Sequence, residues 1–258
     1  MIRVWAIVIN TFREAIRNKI LYSVLLFMAL IMGASALFAS VTIGDQLQVI
    51  KDCGLFSLSF FGAIITIITG VSLLNKELKQ KTIYNILSKP ISRWEFLLGK
   101  HLGLTLTVSL LVTFMGLGLV GFTALFERRI DLLLFQGILV AILEVTVISS
   151  VVMFFSSMAV TTTLPGILTL GTYIAGHSIN YLNYFAATDG QSGAASQRVV
   201  TLFSWILPDL SVFNANSLLV YGQSLSAEHV MYATAYCLAY STAALIFAGM
   251  IFSKRELQ

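Results

Sequence analysis

The chain has 258 residues, of which 57% are hydrophobic and only 11% are charged. An ordinary soluble domain carries about 25% charged residues, so this composition excludes one and indicates an integral membrane protein. The net charge at pH 7 is +4, and the basic residues are scattered between apolar blocks, so we expect no nucleic acid partner. Cys53 and Cys237 lie far apart, form no C-x-x-C and have no histidine at ligand spacing, so no metal site is predicted.

The first 19 residues show the periodicity of an amphipathic helix. The apolar face comprises Ile2, Trp5, Ile9, Phe12 and Ile16, and the polar face comprises Arg3, Asn10, Glu14 and Arg17. We expect this helix to lie in the membrane interface with its bases near lipid headgroups. A cleaved signal peptide is disfavoured, because the apolar run that follows is longer than the usual hydrophobic region of about 7–15 residues.

Stretches free of Asp, Glu, Lys and Arg mark the membrane spans, since a spanning helix needs roughly 20 apolar residues. The predicted spans lie near residues 20–41, 53–75, 102–125, 132–156, 164–184 and 229–252. Pro165 and Gly166 separate the fourth span from the fifth. The sequence therefore predicts an all-α, six-span membrane domain covering residues 1–258.

The segment between the fifth and sixth spans, 185–228, is apolar in part but cannot span the bilayer. Pro208 and Asp209 interrupt it, and Trp205 and Tyr221 are of the type found at headgroup level. We expect an extracytoplasmic loop that contains an interfacial or re-entrant element.

Most of the 16 Lys and Arg residues fall in three segments, 1–19, 76–100 and 253–258. The positive-inside rule places these segments in the cytoplasm, so both termini are predicted to be cytoplasmic.

The loop 76–100 has a pattern beyond its charge. Pro90 ends a first run of helical periodicity, and Ser92 with Glu95 forms a capping box that starts a second helix. The predicted shape is a helix, a sharp corner and a second helix. Such a corner between two spans is able to pass movement from a cytoplasmic partner into the membrane, whereas a solvated basic loop would need neither the proline nor the cap.

Three motifs make the chain resemble the membrane subunits of type-2 ATP-binding-cassette (ABC) exporters. The first is Glu77 followed by Thr82-Ile83, where the family usually has E-x-x-x-G-T and this chain has Lys81 in place of the glycine. The second runs from Leu87 to Arg93 and resembles L-L-S-x-P-[IV]-S-R, with Gly99-Lys100 after it. The third, Leu207-Pro208-Asp209 followed by Phe213, resembles L-P-N-x-x-x-F before the last span.

The resemblance implies a permease that exports cargo across the cytoplasmic (inner) membrane of a bacterium or archaeon. It further implies a homodimer of the permease, surrounded by membrane lipids, and two copies of a separate ATPase that binds ATP and Mg. The loop 76–100 would hold the coupling helix that contacts this ATPase. The residues carried over to that contact are Glu77, Lys79, Lys81, Thr82, Tyr84, Asn85, Ser88, Lys89, Pro90, Ser92 and Arg93.

The resemblance also implies a translocation path lined by the first, second and fifth spans. The polar and aromatic residues nominated for this path are Phe56, Phe60, Thr66, Thr69, Thr172, Tyr173, His177 and Glu144. Glu144 is the acidic residue deep in a span, so it should be protonated or paired. We expect a hydrogen bond to a neighbouring helix, with Ser149, Ser150 or a threonine of 161–163 as candidate partners.

The sequence predicts no catalytic residue and no cofactor bound by this chain. It has no G-x-x-x-x-G-K-[ST] motif, so ATP hydrolysis is expected in the partner. The main alternative is an ATP-independent carrier that uses Glu144 as its proton site. An intramembrane protease built on Ser35 and His229 is less supported, since Ser35 lies in a span without a helix-breaking pocket.

Overall fold

The computed structural model describes residues 2–17, 46–79, 92–158, 161, 163–188 and 207–254, with scattered residues between 22 and 35. Within these ranges the side chains of 2, 3, 74–79, 182–188 and 254 are not described. All the regular structure in the described residues is helical, as the apolar composition predicts. The elements are α1 (Ile2–Ile16), α2 (Gln46–Lys79), α3 (Arg93–Glu127), α4 (Leu133–Met158), α5 (Thr163–Thr188), a 3-10 helix (Leu210–Phe213), α6 (Asn216–Val220) and α7 (Ala227–Lys254).

Four of these helices are long and apolar enough to cross a membrane: Gln46–Leu73, Arg93–Glu127, Leu133–Met158 and Ala227–Ser253. They overlap the second, third, fourth and sixth predicted spans, although the first two of them begin earlier than predicted, at Gln46 and Arg93. The predicted fifth span lies within α5, which is not among these four helices, and most of the predicted first span lies outside the described residues. A helical, multi-pass membrane protein is thus confirmed, while the number six stays a prediction.

Helix α4 occupies the centre of the bundle, in contact with α2, α3, α5 and α7. Its sequence is apolar on every face, which is the pattern of a helix surrounded by protein or lipid. Val145, Val152 and Met153 have no exposed surface, and they join Leu58 of α2 in one continuous core.

The bundle has two ends, which we name after the residues at the ends of α3. The Arg93 end also holds α1, the start of α5 and the end of α7. The Glu127 end holds the start of α2, the start of α4, the 3-10 helix and α6.

Helix α1 lies against the first turns of α3. Its buried face is Val8, Thr11 and Ala15, whereas Trp5 is 61% exposed. The apolar stripe that includes Trp5 therefore faces away from the protein, as expected for a stripe that contacts lipid. The face that packs against α3 was not recognised from the sequence, because it combines Val8 and Ala15 with the polar Thr11.

The capping box predicted at Ser92 is confirmed. The Ser92 hydroxyl accepts a hydrogen bond from the backbone N–H of Glu95 at 3.2 Å, and the Glu95 carboxylate accepts one from the N–H of Ser92 at 3.0 Å. Helix α3 then runs without interruption from Arg93 to Glu127. The second helix of the loop and the third span are therefore a single helix, and the corner at Pro90 lies outside the described residues.

Residues 207–226, the described part of the segment before α7, pack onto the bundle. Asp209 caps the 3-10 helix by accepting a hydrogen bond from the backbone N–H of Ser211 at 3.1 Å. Leu210, Phe213 and Leu219 are buried against the neighbouring helices. Tyr221 is 70% exposed, whereas Trp205 lies outside the described residues.

Candidate translocation site

A cavity of about 360 Å³ lies between α2 and α5, towards the Glu127 end. Aromatic side chains, hydroxyls and two amides form its wall. The lining residues are Phe56, Ser59, Phe60, Tyr173, Ile174, His177, Ser178, Tyr181, Phe213, Asn214 and Asn216. Phe56 stacks on Phe60 with ring centroids 5.6 Å apart, so one side of the cavity is a continuous aromatic surface.

An apolar groove of about 720 Å³ continues along the same two helices towards the Arg93 end. Phe60 belongs to both the cavity and the groove, so the two are adjacent. Ser72 and Thr163 are the polar residues among the described lining of the groove. The α2–α5 seam, by which we mean this cavity and groove together, is thus apolar along most of its length and polar at one end.

Glu144 and His177 form a pair directly behind the cavity wall. The Nε2 atom of His177 lies 2.9 Å from Oε1 of Glu144, and the Glu144 side chain is fully buried. Tyr173 meets the imidazole edge to face with centroids 4.8 Å apart, which fixes the orientation of the ring. A carboxylate without a partner in this position would be costly, and the contact with His177 supplies that partner.

The partner of Glu144 differs from the predicted ones. Ser149 instead contacts Thr105 at 2.9 Å and His101 Nδ1 at 3.1 Å, while Ser150 donates to the carbonyl oxygen of Val147. The second oxygen of Glu144, Oε2, has no hydrogen-bond partner among the described residues. The prediction of a partner on a neighbouring helix holds, but that partner is His177 on α5.

The structure brings together part of the set nominated for the path. Phe56, Phe60, Tyr173 and His177 line the cavity, and Glu144 lies behind His177. The three threonines do not line it. Thr66, Thr69 and Thr172 are buried in the helix packing, and Thr66 and Thr172 donate their hydroxyls to the carbonyl oxygens of Gly62 and Leu168 in their own helices.

Several lining residues were missed by the sequence reasoning. Tyr181 follows Tyr173 and His177 at intervals of four residues, a spacing that places all three on one face of α5. Asn214 and Asn216 come from the segment after Pro208, and nothing in its sequence shows that it folds against α5. The contact is made in part by Asn180, which donates to the Ser211 hydroxyl at 2.6 Å.

Most of the residues assigned to ATPase coupling cannot be placed. Glu77 and Lys79 lie in the last turns of α2 with undescribed side chains, and the residues from Lys81 to Pro90 are outside the described part of the chain. Ser92 and Arg93 are described, and both make contacts within the chain itself. Ser92 caps α3, and Arg93 donates to backbone carbonyl oxygens of α7.

An ion-pair cluster at the Glu127 end was also missed. Lys51 Nζ lies 3.2 Å from Glu127 Oε1 and 2.6 Å from Asp131 Oδ2, which joins α2 to the turn between α3 and α4. Burial alone would raise the pKa of Asp131. The hydrogen bonds from Lys51 and from the backbone N–H of Leu133, with the charges of Lys51 and Arg129, nevertheless hold this pKa below its ordinary value.

His229, the histidine of the protease alternative, has its Nε2 atom 3.0 Å from the backbone carbonyl oxygen of Val212. The described residues contain no group of three or more His, Cys, Asp or Glu side chains that could hold a metal ion.

A bundle of long apolar helices defines a multi-pass membrane protein, and a cavity along a helix seam is a type of site that binds small molecules. The sequence matches the ABC-2 family transporter protein family over residues 5–257, and the chain belongs to that family. The resemblance drawn from the loop motifs is thereby confirmed: this is the membrane component of an ABC transporter. No curated protein matches the chain.

Proposed function

We propose that the chain is the permease subunit of an ABC exporter, in which two copies form the translocation path and two copies of a separate ATPase drive it. Family membership supports the transporter context. One observation supports the proposed path. Two distant segments of the sequence contribute to the lining of the same cavity, Phe56 and Phe60 from α2 and Tyr173 and His177 from α5.

Helix α2 provides a physical route from the ATPase to this cavity. It is one helix from Gln46 to Lys79, so its last turns enter the coupling loop while its middle carries Phe56 and Phe60. A helix transmits displacement along its axis with little internal deformation. ATP-driven movement of the loop would therefore shift one wall of the α2–α5 seam relative to the other and change access to the cavity.

The shape of the seam supports an amphiphilic cargo. An acyl or other apolar portion fits the groove, whose described lining is almost entirely aliphatic and aromatic. A polar portion fits the cavity, where hydroxyls and amides are available for hydrogen bonds. The cargo would enter from the cytoplasmic membrane of a bacterium or archaeon and leave on its outer side.

In this proposal the Arg93 end faces the cytoplasm, and ATP and Mg are bound by the partner. The test is purification of the tagged permease from native membranes, followed by native mass spectrometry. A complex of two permeases and two ATPase chains is expected, and ATP hydrolysis in proteoliposomes should rise with cargo. An isolated permease that transports without any ATPase would overturn the proposal.

Phe56 tests the path itself. It is 58% exposed on α2, and Phe247 of α7 is similarly exposed at 56%, so Phe247→Ala is a matched control. Phe56→Ala should lower transport at unchanged expression, because it removes half of the stacked aromatic wall. Equal loss in both variants would show that exposed aromatics matter only for membrane packing.

A second candidate function is supported by the Glu144–His177 pair. A buried carboxyl bonded to an imidazole is a suitable proton site for an ATP-independent carrier. The driving force separates the two candidates. Transport by proteoliposomes that requires ATP and persists without a pH gradient supports the exporter, whereas transport that follows the gradient and is lost in Glu144→Gln supports the carrier.

A further inference from the structure

Two arginines follow the last turn of α3, at the Glu127 end of the bundle. Arg128 and Arg129 are both exposed, and Nη2 of Arg129 lies 3.7 Å from Oε1 of Glu127, which is beyond hydrogen-bond length. The carboxylates of Glu127 and Asp131 are held instead by Lys51, and each of these two side chains is 13% exposed. The two neighbouring acids therefore face a buried lysine, whereas the two guanidiniums are accessible from outside the protein.

Arg128 has a backbone conformation that few residues other than glycine adopt. Its φ of 56° and ψ of 20° lie in the left-handed region, and its N–H caps α3 by donating to the carbonyl oxygen of Ala124 at 2.9 Å. Glycine is the usual residue at such a helix end, because a Cβ atom adds a steric cost there. The backbone makes this cap, and no acceptor among the described residues takes a hydrogen bond from the guanidinium. The fold therefore does not account for the side chain of Arg128, and a backbone outlier of this kind points to a function.

A cavity of about 520 Å³ lies beside Arg129, between the start of α2, the turn from α3 to α4 and the end of α6. Besides the ion-pair cluster, its described lining contains the aliphatic side chains of Leu47, Leu132 and Val220 and the phenol of Tyr221. A molecule that fills this cavity meets a guanidinium, a hydroxyl group and an apolar wall together. The lining thus fits an anionic group attached to an apolar chain.

Exposed apolar side chains on both sides of the arginines place them at the membrane interface. Leu125 and Phe126 precede the pair, and Ile130 and Leu132 follow it, with exposed fractions between 52% and 78%. This pattern is unfavourable in water. It is favourable at the boundary between hydrocarbon and headgroups, where a long basic side chain reaches the lipid phosphates. The environment of the pair therefore favours a lipid over a soluble protein as its ligand.

We propose that Arg128, Arg129 and the cavity beside them bind the headgroup of an anionic phospholipid. The guanidiniums would donate paired hydrogen bonds to the phosphate oxygens, and the acyl chains would lie along the exposed aliphatic side chains of the turn. A zwitterionic headgroup such as choline binds less well, because its cation is repelled by the two arginines. Asp52, an exposed acid of α2, is not part of the described lining. The site depends on neither the proposed orientation nor the exporter function, and in that orientation it lies in the outer leaflet.

The test uses two photoreactive lipids with the same acyl chains, a phosphatidylglycerol and a phosphatidylcholine. The full-length permease in phosphatidylcholine nanodiscs receives a trace of either probe and is irradiated. It is then digested with pepsin, whose cleavage does not depend on arginine, and labelled peptides are found by mass spectrometry. The phosphatidylglycerol probe is expected to label the peptide of the α3–α4 turn about fivefold or more above the phosphatidylcholine probe.

Variants separate binding from folding and from total charge. Arg128→Gln combined with Arg129→Gln should abolish the preference at the turn. Arg13→Gln combined with Arg17→Gln removes two exposed arginines at the Arg93 end and is the matched control, so it should leave labelling of the turn unchanged. Arg128→Gly keeps the backbone cap and relieves the steric cost, so the melting temperature should be equal or higher while labelling by phosphatidylglycerol falls.

Several results would overturn the proposal. Equal labelling of the turn by both probes would indicate simple partition into the bilayer, and an equal loss in the control would indicate a general effect of charge. Displacement of the phosphatidylglycerol probe by millimolar inorganic phosphate would show that a soluble anion is the ligand. Unchanged labelling in the Arg128 and Arg129 variants, with loss of a protein that co-purifies from native membranes, would assign the arginines to a protein interface.

Discussion

The guanidinium of Arg93, in the first turn of α3, donates a hydrogen bond of 2.9 Å to the backbone carbonyl oxygen of Ser253, near the end of α7. The same nitrogen donates to the carbonyl oxygen of Phe252 at 3.0 Å. The last carbonyl groups of a helix have no partner within it, so Arg93 caps α7 from another helix. Trp94 adds to this contact, since its ring lies where a side chain at Gly249 would have to be.

We predict that Arg93→Gln loosens the end of α7 without removing the ATPase. Glutamine is too short to reach both carbonyl oxygens, so the cap should be lost at a cost of about 1 kcal/mol. Hydrogen exchange of the last turns of α7 should accelerate, and the ATPase should still co-purify. Arg129→Gln, at a side chain that is 79% exposed, is the control. Loss of the ATPase from Arg93→Gln at unchanged exchange would show instead that Arg93 belongs to the coupling interface.

Close packing at Gly103 predicts that a larger side chain at this position displaces α1. A Cβ atom there would lie 2.6 Å from Cβ of Thr11 and 3.0 Å from the carbonyl oxygen of Val8, so Gly103→Val should separate α1 from α3. A cysteine placed at Ala15, which is 1% exposed, should then react with a maleimide. Gly121→Val is the matched control, because among the described residues no atom beyond the adjoining part of its own helix lies within 4 Å of a Cβ at that glycine, which belongs to the same helix.

The experiment needs a background in which the natural Cys53 and Cys237 are replaced by alanine. If Ala15→Cys stays protected in Gly103→Val as it does in Gly121→Val, α1 is not held by this contact.

The helices were predictable from the sequence because each depends on a property of its own residues. Charge-free runs located α2, α4 and α7, and the capping box at Ser92 gave the start of α3. The contacts between helices were not predictable. Glu144 and His177 lie on the faces of two helices, and hydropathy does not report how those helices are rotated against each other.

The same limit applies to the three threonines, which do not line the cavity, and to the two amides, which do. Thr66 satisfies its hydroxyl within its own helix, which allows it to face the protein interior, so a hydroxyl in a span is no guide to a polar path. Asn214 reaches the cavity only because the segment after Pro208 folds back over α5, which depends on contacts such as that between Asn180 and Ser211.

The cluster at Lys51 leads to a prediction of pH dependence. The pKa of Asp131 is lowered in the folded protein, so its contribution is fully present above the ordinary value of 3.8 and is lost as the pH falls through the folded pKa. Asp131→Asn should lower the free energy of unfolding by about 1–3 kcal/mol at neutral pH, and the difference from the natural protein should shrink in acid.

The measurement is thermal unfolding of the natural protein and of Asp131→Asn in detergent, from neutral pH to below the ordinary Asp pKa of 3.8. Asp52→Asn, at an exposed neighbouring carboxylate, is the control and should leave the profile unchanged. A difference between Asp131→Asn and the natural protein that stays constant down to acid pH would mean that the charge of Asp131 contributes nothing.

The last prediction concerns the corner between α2 and α3. If Lys89-Pro90 joins the two helices rigidly, its stiffness matters more than its charge, because a flexible joint would absorb the displacement delivered by the ATPase. Replacing Lys89-Pro90 with Gly-Gly should leave the helices inserted and the ATPase bound, yet lower the cargo moved per ATP hydrolysed. Lys89→Gln alone should change this ratio much less, since a single charge at an interface rim mainly affects the association rate. The measurement is ATP turnover and transport on the same reconstituted complexes, and an unchanged ratio in the Gly-Gly variant would show that movement reaches the α2–α5 seam by another route.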